Sequence, residues 1–191
     1  MNAVTVLIIG AVIVFAICLF IAIFFISTYN GLVANRNRVR NQKSQIDIEL
    51  KRRFDLVPNL VETVKGYANH EKTALEDIIK ARNSYVSTAG NTAQALEADN
   101  VLSGALTKLF ALSESYPDLK ANTNFMNLQN ELAEIEKRIV YSRQFYNDSV
   151  MKHNNKIEMF PSSAVAGVFK FETEPFFEAA EAERQNVQVS F

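Results

Sequence analysis

One cysteine, two histidines, four prolines and six glycines are all that this 191-residue chain holds of the residues that staple, ligate or break structure. The lone thiol, Cys18, excludes an intrachain disulfide, and it lies inside a long apolar run, so the rest of the chain has no thiol. Scarce histidine thins the metal and acid–base options. His70-Glu71 opens like a zinc-protease helix, but HEKTA lacks the second histidine four residues on. His153 falls on the apolar seam of a helix, where packing is its expected use. No Gly-rich phosphate loop and no GxSxG elbow occurs.

Carboxylates are plentiful but evenly spread. Glu131, Glu134 and Glu136, followed by Lys137 and Arg138, form a solvated helix face with near-neighbour ion pairs. A carboxylate-bridged metal pair would need inward-facing Glu-x-x-His, which that helix lacks. Asn147-Asp148-Ser149 matches the glycosylation sequon but sits in mid-helix, where the match reads as chance. The expectation is a non-enzymatic protein with no catalytic, cofactor-binding or metal-binding residues. Twenty basic residues against twenty-one acidic ones also argue against a general nucleic-acid partner.

What the chain does have is one long apolar run. From Ala3 to Ile26 it carries no charge, and only Thr5 and Gly10 interrupt its apolar character. A bilayer core about 30 Å thick needs about 20 helical residues, so residues 1–28 are expected to form a retained transmembrane anchor. A cleavable signal peptide would show a basic start, a shorter apolar stretch and a small-x-small site, whereas this run ends in bulky FFI. Arg36, Arg38, Arg40, Lys43, Lys51, Arg52 and Arg53 follow the run. By the positive-inside rule they keep the body in the cytoplasm. Their simplest contact is with lipid headgroups.

Past the anchor, the periodicity predicts an all-α protein: an antiparallel up-down bundle of three long helices plus a C-terminal fourth element. The first helix is expected from about Tyr29 to Tyr85, on the seam Ile46, Leu50, Val57, Leu60, Val64, Tyr67, Ala74, Ile78, Ala81 and Tyr85. The polar linker at 87–94 ends it. A second helix carries Leu96, Leu102, Leu106, Leu109 and Leu112 and stops before Pro117. The third starts at a cap on Asn122 or Asn124 and follows Phe125, Leu128, Leu132, Ile135, Ile139, Ser142, Tyr146, Ser149 and His153 to Phe160-Pro161. At 1.5 Å per residue the first helix, about 85 Å long, outruns its neighbours at about 35 and 50 Å. Residues 29–45 are therefore expected to be a bare stalk, and residues 46–160 the bundle. A stalk spaced as Leu32, Val39 and Ile46 predicts a homo-oligomer paired through Leu32 and Val39.

Residues 161–191 change character, with Phe169, Phe171, Phe176, Phe177 and Phe191 and a final alternation of Val187, Val189 and Phe191. This tail is expected to close the groove of the three helices. Docking on a membrane or partner is the competing use, and the last six residues are the part most open to another chain.

Two residues of the first helix disturb its pattern. Pro58 removes a backbone hydrogen bond and crowds the Phe54 carbonyl, at about 3 kcal/mol unless a kink relieves it. The kink is expected at the membrane-near rim, level with SYPDLK. Arg53 stands on the seam, and burial there demands a carboxylate. Asp118 and Glu131 are the expected partners.

The same segments carry a family resemblance. YNGLVANRNRV at 29–39, QIDIELKRRFDLVPNLVETVKGYANHE at 45–71, KAR at 80–82, ESYPDLKANTNFMNLQNELAEIEKRIVYSRQFYND at 114–148 and FPSS at 160–163 resemble the LemA family of bacterial membrane proteins. Lys43 departs from the pattern, standing where relatives tend to carry an aromatic. The resemblance implies a single N-terminal anchor in the bacterial inner (cytoplasmic) membrane and an antiparallel helical bundle. It supplies no accepted catalytic residues. It also implies a link to envelope stress and to a neighbouring HtpX-like membrane metalloprotease. The expected role is thus a scaffold or adaptor that self-associates and presents helical surfaces to membrane partners. The alternative is a regulator or substrate adaptor of an HtpX-like protease.

Overall fold

Apolar seams of helical period run through most of this chain, and helices are what it forms. The computed structural model describes residues 3–68, 71–88 and 91–177, with the side chains of all but 4–6. Six helices follow in order: α1 (Ala3–Lys65), α2 (Lys72–Val86), α3 (Thr92–Ser113), α4 (Pro117–Lys120), α5 (Thr123–Glu158) and α6 (Ser162–Val168). No strand occurs among the described residues, so the all-α expectation holds. The chain divides into two units, Met1–Arg40 with Asp148–Pro175 and Asn41–Asn147 with Phe176–Phe191. Helices α1 and α5 each contribute to both.

The expected first helix from Tyr29 to Tyr85 is corrected at both ends. Helix α1 runs without interruption from the apolar run to Lys65, passing through exposed Pro58, and stops there. Gly66 is a poor helix former, and extending the helix would carry Glu71 onto the buried seam. Instead the chain turns, with Tyr67 and Ala68 amides donating to the Val64 carbonyl, and Glu71 accepts from the Tyr116 hydroxyl at 2.9 Å. Residues 72–86 then form a separate helix.

This extra turn makes the second unit a four-helix arrangement instead of the expected three. Phe54 of α1 stacks on Tyr85 of α2, centroids 4.0 Å apart. Thr92, at the start of α3, donates to Asp47 at 2.7 Å, and the Asn122 amide donates to the Tyr67 hydroxyl at 2.9 Å. The α1 half from Ile46, then α2, α3 and the first half of α5 therefore run up, down, up and down. Asn91 caps α3 by accepting from the Ala93 and Gln94 amides, and Asn122 caps α5 by accepting from Phe125. Leu50, Val57, Leu60, Ile78, Leu102, Leu109, Phe125, Leu132 and Ile135 fill the core. SYPDLK lies level with Tyr67 and Glu71. The expectation that put it beside Pro58 at a membrane-near rim is therefore wrong, because the added turn reverses α3.

The first unit overturns the bare stalk. Leu32 and Val39 are buried, and Leu32 packs with Val165 and Ala166 of α6 among Phe24, Phe25, Ile157 and Phe171. Helix α5 is long enough to reach this part of α1, which the spacing argument discounted. Gly31 matters here: the Lys156 ammonium occupies the space a Cβ would need. Helix α6 ends in a Schellman turn, with Phe171 N–H donating to the Ala166 carbonyl and Lys170 N–H to Gly167. Lys170 takes the left-handed conformation, φ 53°, that such a turn requires. Phe171 is thereby folded back onto the Leu32 cluster, and the Arg36 guanidinium lies 5.2 Å from its ring centre. Phe169 meets Tyr29, centroids 4.7 Å apart.

The described part of the tail is bound down by side chains of α5. In the first unit, Asn154 exchanges two hydrogen bonds with the Glu174 backbone, both 2.9 Å. In the second, Asn147 does the same with Phe177, whose ring lies on Tyr146 at 4.4 Å. The Asn147 amide is thus occupied, in keeping with a chance sequon. The expectation for Val187, Val189 and Phe191 falls outside the described residues, as does that for His70.

Leu32→Ala should cost about 2–5 kcal/mol in denaturant unfolding, as for a core leucine, and should speed hydrogen exchange in α6. A bare stalk would give almost no change in either.

Candidate functional site

The polar groups most costly to bury lie in the second unit. Arg53 is 1% exposed, a little under two turns past Asp47, on the face of α1 that also carries Leu50 and Val57. Its guanidinium donates to the Asp99 carboxylate of α3 at 2.6 Å and lies 3.5 Å from the half-exposed Glu136 of α5. The expected partners, Asp118 and Glu131, are not used. Asp118 is exposed at the start of α4, and Glu131 instead accepts from the neighbouring Arg52 at 2.8 Å. The register of α3 decides this: Thr92 beside Asp47 puts Asp99, two turns on, beside Arg53.

Burial pushes the Asp99 carboxyl above its usual range, while attraction and hydrogen bonding to Arg53 pull the other way. The Arg53 Nε has no partner. A cavity of about 170 Å³ borders the cluster, lined by Arg53, Ser103, Thr107, Gln129 and Glu136 with Leu106, Phe110, Leu132 and Ala133. Ser103 donates to Glu136 at 3.3 Å. This volume is below the roughly 300–1,000 Å³ of small-molecule sites. Among the described residues, no three His, Cys, Asp or Glu side chains come together as metal ligands. What the cluster does chemically is neutralise one buried cation with one buried and one half-exposed carboxylate.

His153, in the first unit, is buried as the seam predicts. Its Nε2 donates to the Glu172 carbonyl at 3.2 Å, and Nδ1 has no partner. It serves, with Asn154, to hold the segment after α6. Sequence reasoning missed Asp99 and both asparagines. Asp99 had a signal, an acid on the seam of Leu96, Leu102 and Leu106, complementary to the cation on α1. The asparagines had none, since they sit on a face that reads as solvated.

Comparison with known proteins agrees with the family resemblance. The model of the LemA family matches residues 42–191. "Protein LemA" of Metamycoplasma hominis is 26% identical over 166 residues, covering 87% of this chain and 76% of that protein. "Magnetosome protein MamQ 2" of Paramagnetospirillum magneticum is 24% identical over 175 residues, covering 78% of this chain and 64% of that protein. "Magnetosome protein MamQ" of Magnetospirillum gryphiswaldense is 23% identical over 191 residues, with 85% and 70% covered.

Arg53→Met should cost about 3–5 kcal/mol at neutral pH, because it leaves Asp99 buried without its cation. Adding Asp99→Leu should return most of that loss. Asp99 has a folded-state pKa raised above its unfolded value, so the folded chain holds that proton more tightly. The stability this supplies is complete below the unfolded pKa and is lost as pH rises through the folded one. Without the Arg53 attraction that holds the Asp99 carboxyl down, the deficit of Arg53→Met should shrink on mild acidification, whereas the double variant, which lacks Asp99, should show no such recovery. Denaturant melts across the acidic range read both.

Proposed function

The chain belongs to the LemA family, and from that premise we propose that it is a non-enzymatic, membrane-anchored helical scaffold presenting bundle surface to membrane partners. The observation that carries this reading is helix α1. It is one element of 63 residues whose first part is long and apolar enough to cross a bilayer and whose last part supplies the bundle seam. The buried charges support a structural use, because Arg53 is met by carboxylates instead of facing an open substrate position. The anchor sits in the bacterial inner membrane with the body on the cytoplasmic side, as the cations after the span favour.

Self-association through Leu32 and Val39 loses its premise, since both side chains are buried within the chain. A partner surface is better sought on α5, where Val140 and Tyr141 are exposed beside Ala133 and Lys137 around a shallow hollow of about 470 Å³. Homo-oligomers and an HtpX-like membrane protease are the two partners proposed for this face.

Isolation of the intact protein from its native membrane, with assembly size and co-purifying proteins measured, tests the reading. Val140→Asp combined with Tyr141→Asp should lower partner recovery at least about tenfold with helical content unchanged. Full recovery by that variant, or turnover of a substrate that tracks the purified chain, would overturn it.

A further inference from the structure

We propose that the α5–α6 tip, residues 159–169, is a second membrane-contacting element that inserts into the lipid interface beside the end of the α1 span. The proposal rests on α1 being anchored in a bilayer. All of the residues involved lie in the first unit.

Depth is the first argument. Helix α6 covers Phe24 and Phe25, which are half-buried, whereas Leu7–Ile23 and Ile26 are exposed wherever they are large and apolar. Phe24 and Phe25 lie inside the apolar run that ends at Ile26. Whatever packs on them shares their depth. Helix α5 arrives at the same place: Lys156 lies over Gly31, and Ile157 joins the Leu32 cluster. Helix α5 runs two residues past Lys156, about 3 Å nearer the span, to Glu158, and the tip begins there.

Composition is the second. Residues 159–169, MFPSSAVAGVF, contain no charge, and Glu158 and Lys170 bracket them. Helix α1 also carries no charge until Arg36. Residues 159–169 and the part of α1 that α6 packs against are thus both free of charge, which a water-facing tip would not require. Within the tip the outward side chains are apolar: Phe160 is 87% exposed, Val168 66% and Met159 62%. A cluster of that kind on a water-soluble surface marks an interaction site.

The cations fit a lipid occupant. Lys170 directly follows the uncharged stretch, and Lys156 and Arg36 lie on the body side of it, the order that cations at a headgroup layer would take. Lys170 holds a left-handed backbone that glycine would adopt without strain. A lysine there sets a cation directly after the uncharged stretch. An interfacial element of this size buries about 5–10 Å deep, at the level of acyl carbons next to the headgroups.

The chain has no tryptophan, so single tryptophans report cleanly. The full chain carrying Phe15→Trp (span), Phe160→Trp (tip) or Val101→Trp (exposed on α3) is reconstituted into vesicles. The vesicles hold equal parts phosphatidylcholine and phosphatidylglycerol, with acyl chains unbrominated, brominated near the headgroup to report position 160, or brominated near the chain end to report mid-span position 15. Phe160→Trp should emit to the blue of Val101→Trp, and bromine should reduce its emission at least about twofold, with Val101→Trp unaffected. Quenching of Phe15→Trp without quenching of Phe160→Trp would overturn the tip and leave the anchor standing. Blue-shifted but unquenched emission at position 160 would assign the tip to a protein neighbour and also overturn it. No quenching of Phe15→Trp would remove the anchor, and the tip with it.

Discussion

Each of the two units is built around the need to cover its part of the apolar seam of α1. The helix runs 63 residues from an apolar run to Lys65, and its buried face continues from Leu32 through Val39, Ile46, Leu50, Val57 and Leu60 to Val64. No single neighbour of ordinary length covers such a seam, and burial is the main favourable term in folding. The chain meets the requirement twice. In one unit α2, α3 and the first part of α5 surround the later half of the helix. In the other the end of α5, with α6 and the segment after it, covers the part next to the span.

Charge is placed within that constraint. Arg53 stands on the covered face, so its cation had to be met inside, and the register of α3 sets Asp99 against it at 2.6 Å. Such a pair is weak evidence for stability, but it penalises any slip of α3 along α1, since a slip would strand two charges. The surface pairs, such as Arg52 with Glu131, carry no comparable weight. On the segment after α6, Asn154 and His153 bind the chain through backbone atoms alone, so the identity of Glu172 and Glu174 is free to serve other ends.

Much of the helical content was legible in the residues. The seam of α5, its cap at Asn122 (one of the two asparagines offered), the extent of α3 and the apolar run all appear where the residues place them. The break after Lys65 was not, because Ile78, Ala81 and Tyr85 stay in phase with the seam before it. Only Gly66 and the misplaced Glu71 signalled a turn. That one error carried forward: without the turn, SYPDLK falls at the wrong end of the bundle and Arg53 is assigned Asp118 or Glu131. The covering of Leu32 was hidden for another reason. Val165 and Ala166 are small, few and set among serines and glycine, so SSAVAGV does not read as the cap of a seam. The family match over residues 42–191 takes in the bundle and the tail.

The central claim is that the chain's own α6, and not a second copy, lies on the membrane-near part of α1. Cysteines introduced as Leu32→Cys and Ala166→Cys in a Cys18→Ser background, oxidised in intact membranes, test it most directly. The account predicts a bond between positions 32 and 166 of one chain, seen by mass spectrometry in a species of monomer size that forms equally well on dilution. Dimers joined through position 32, with no intrachain bond, would contradict it.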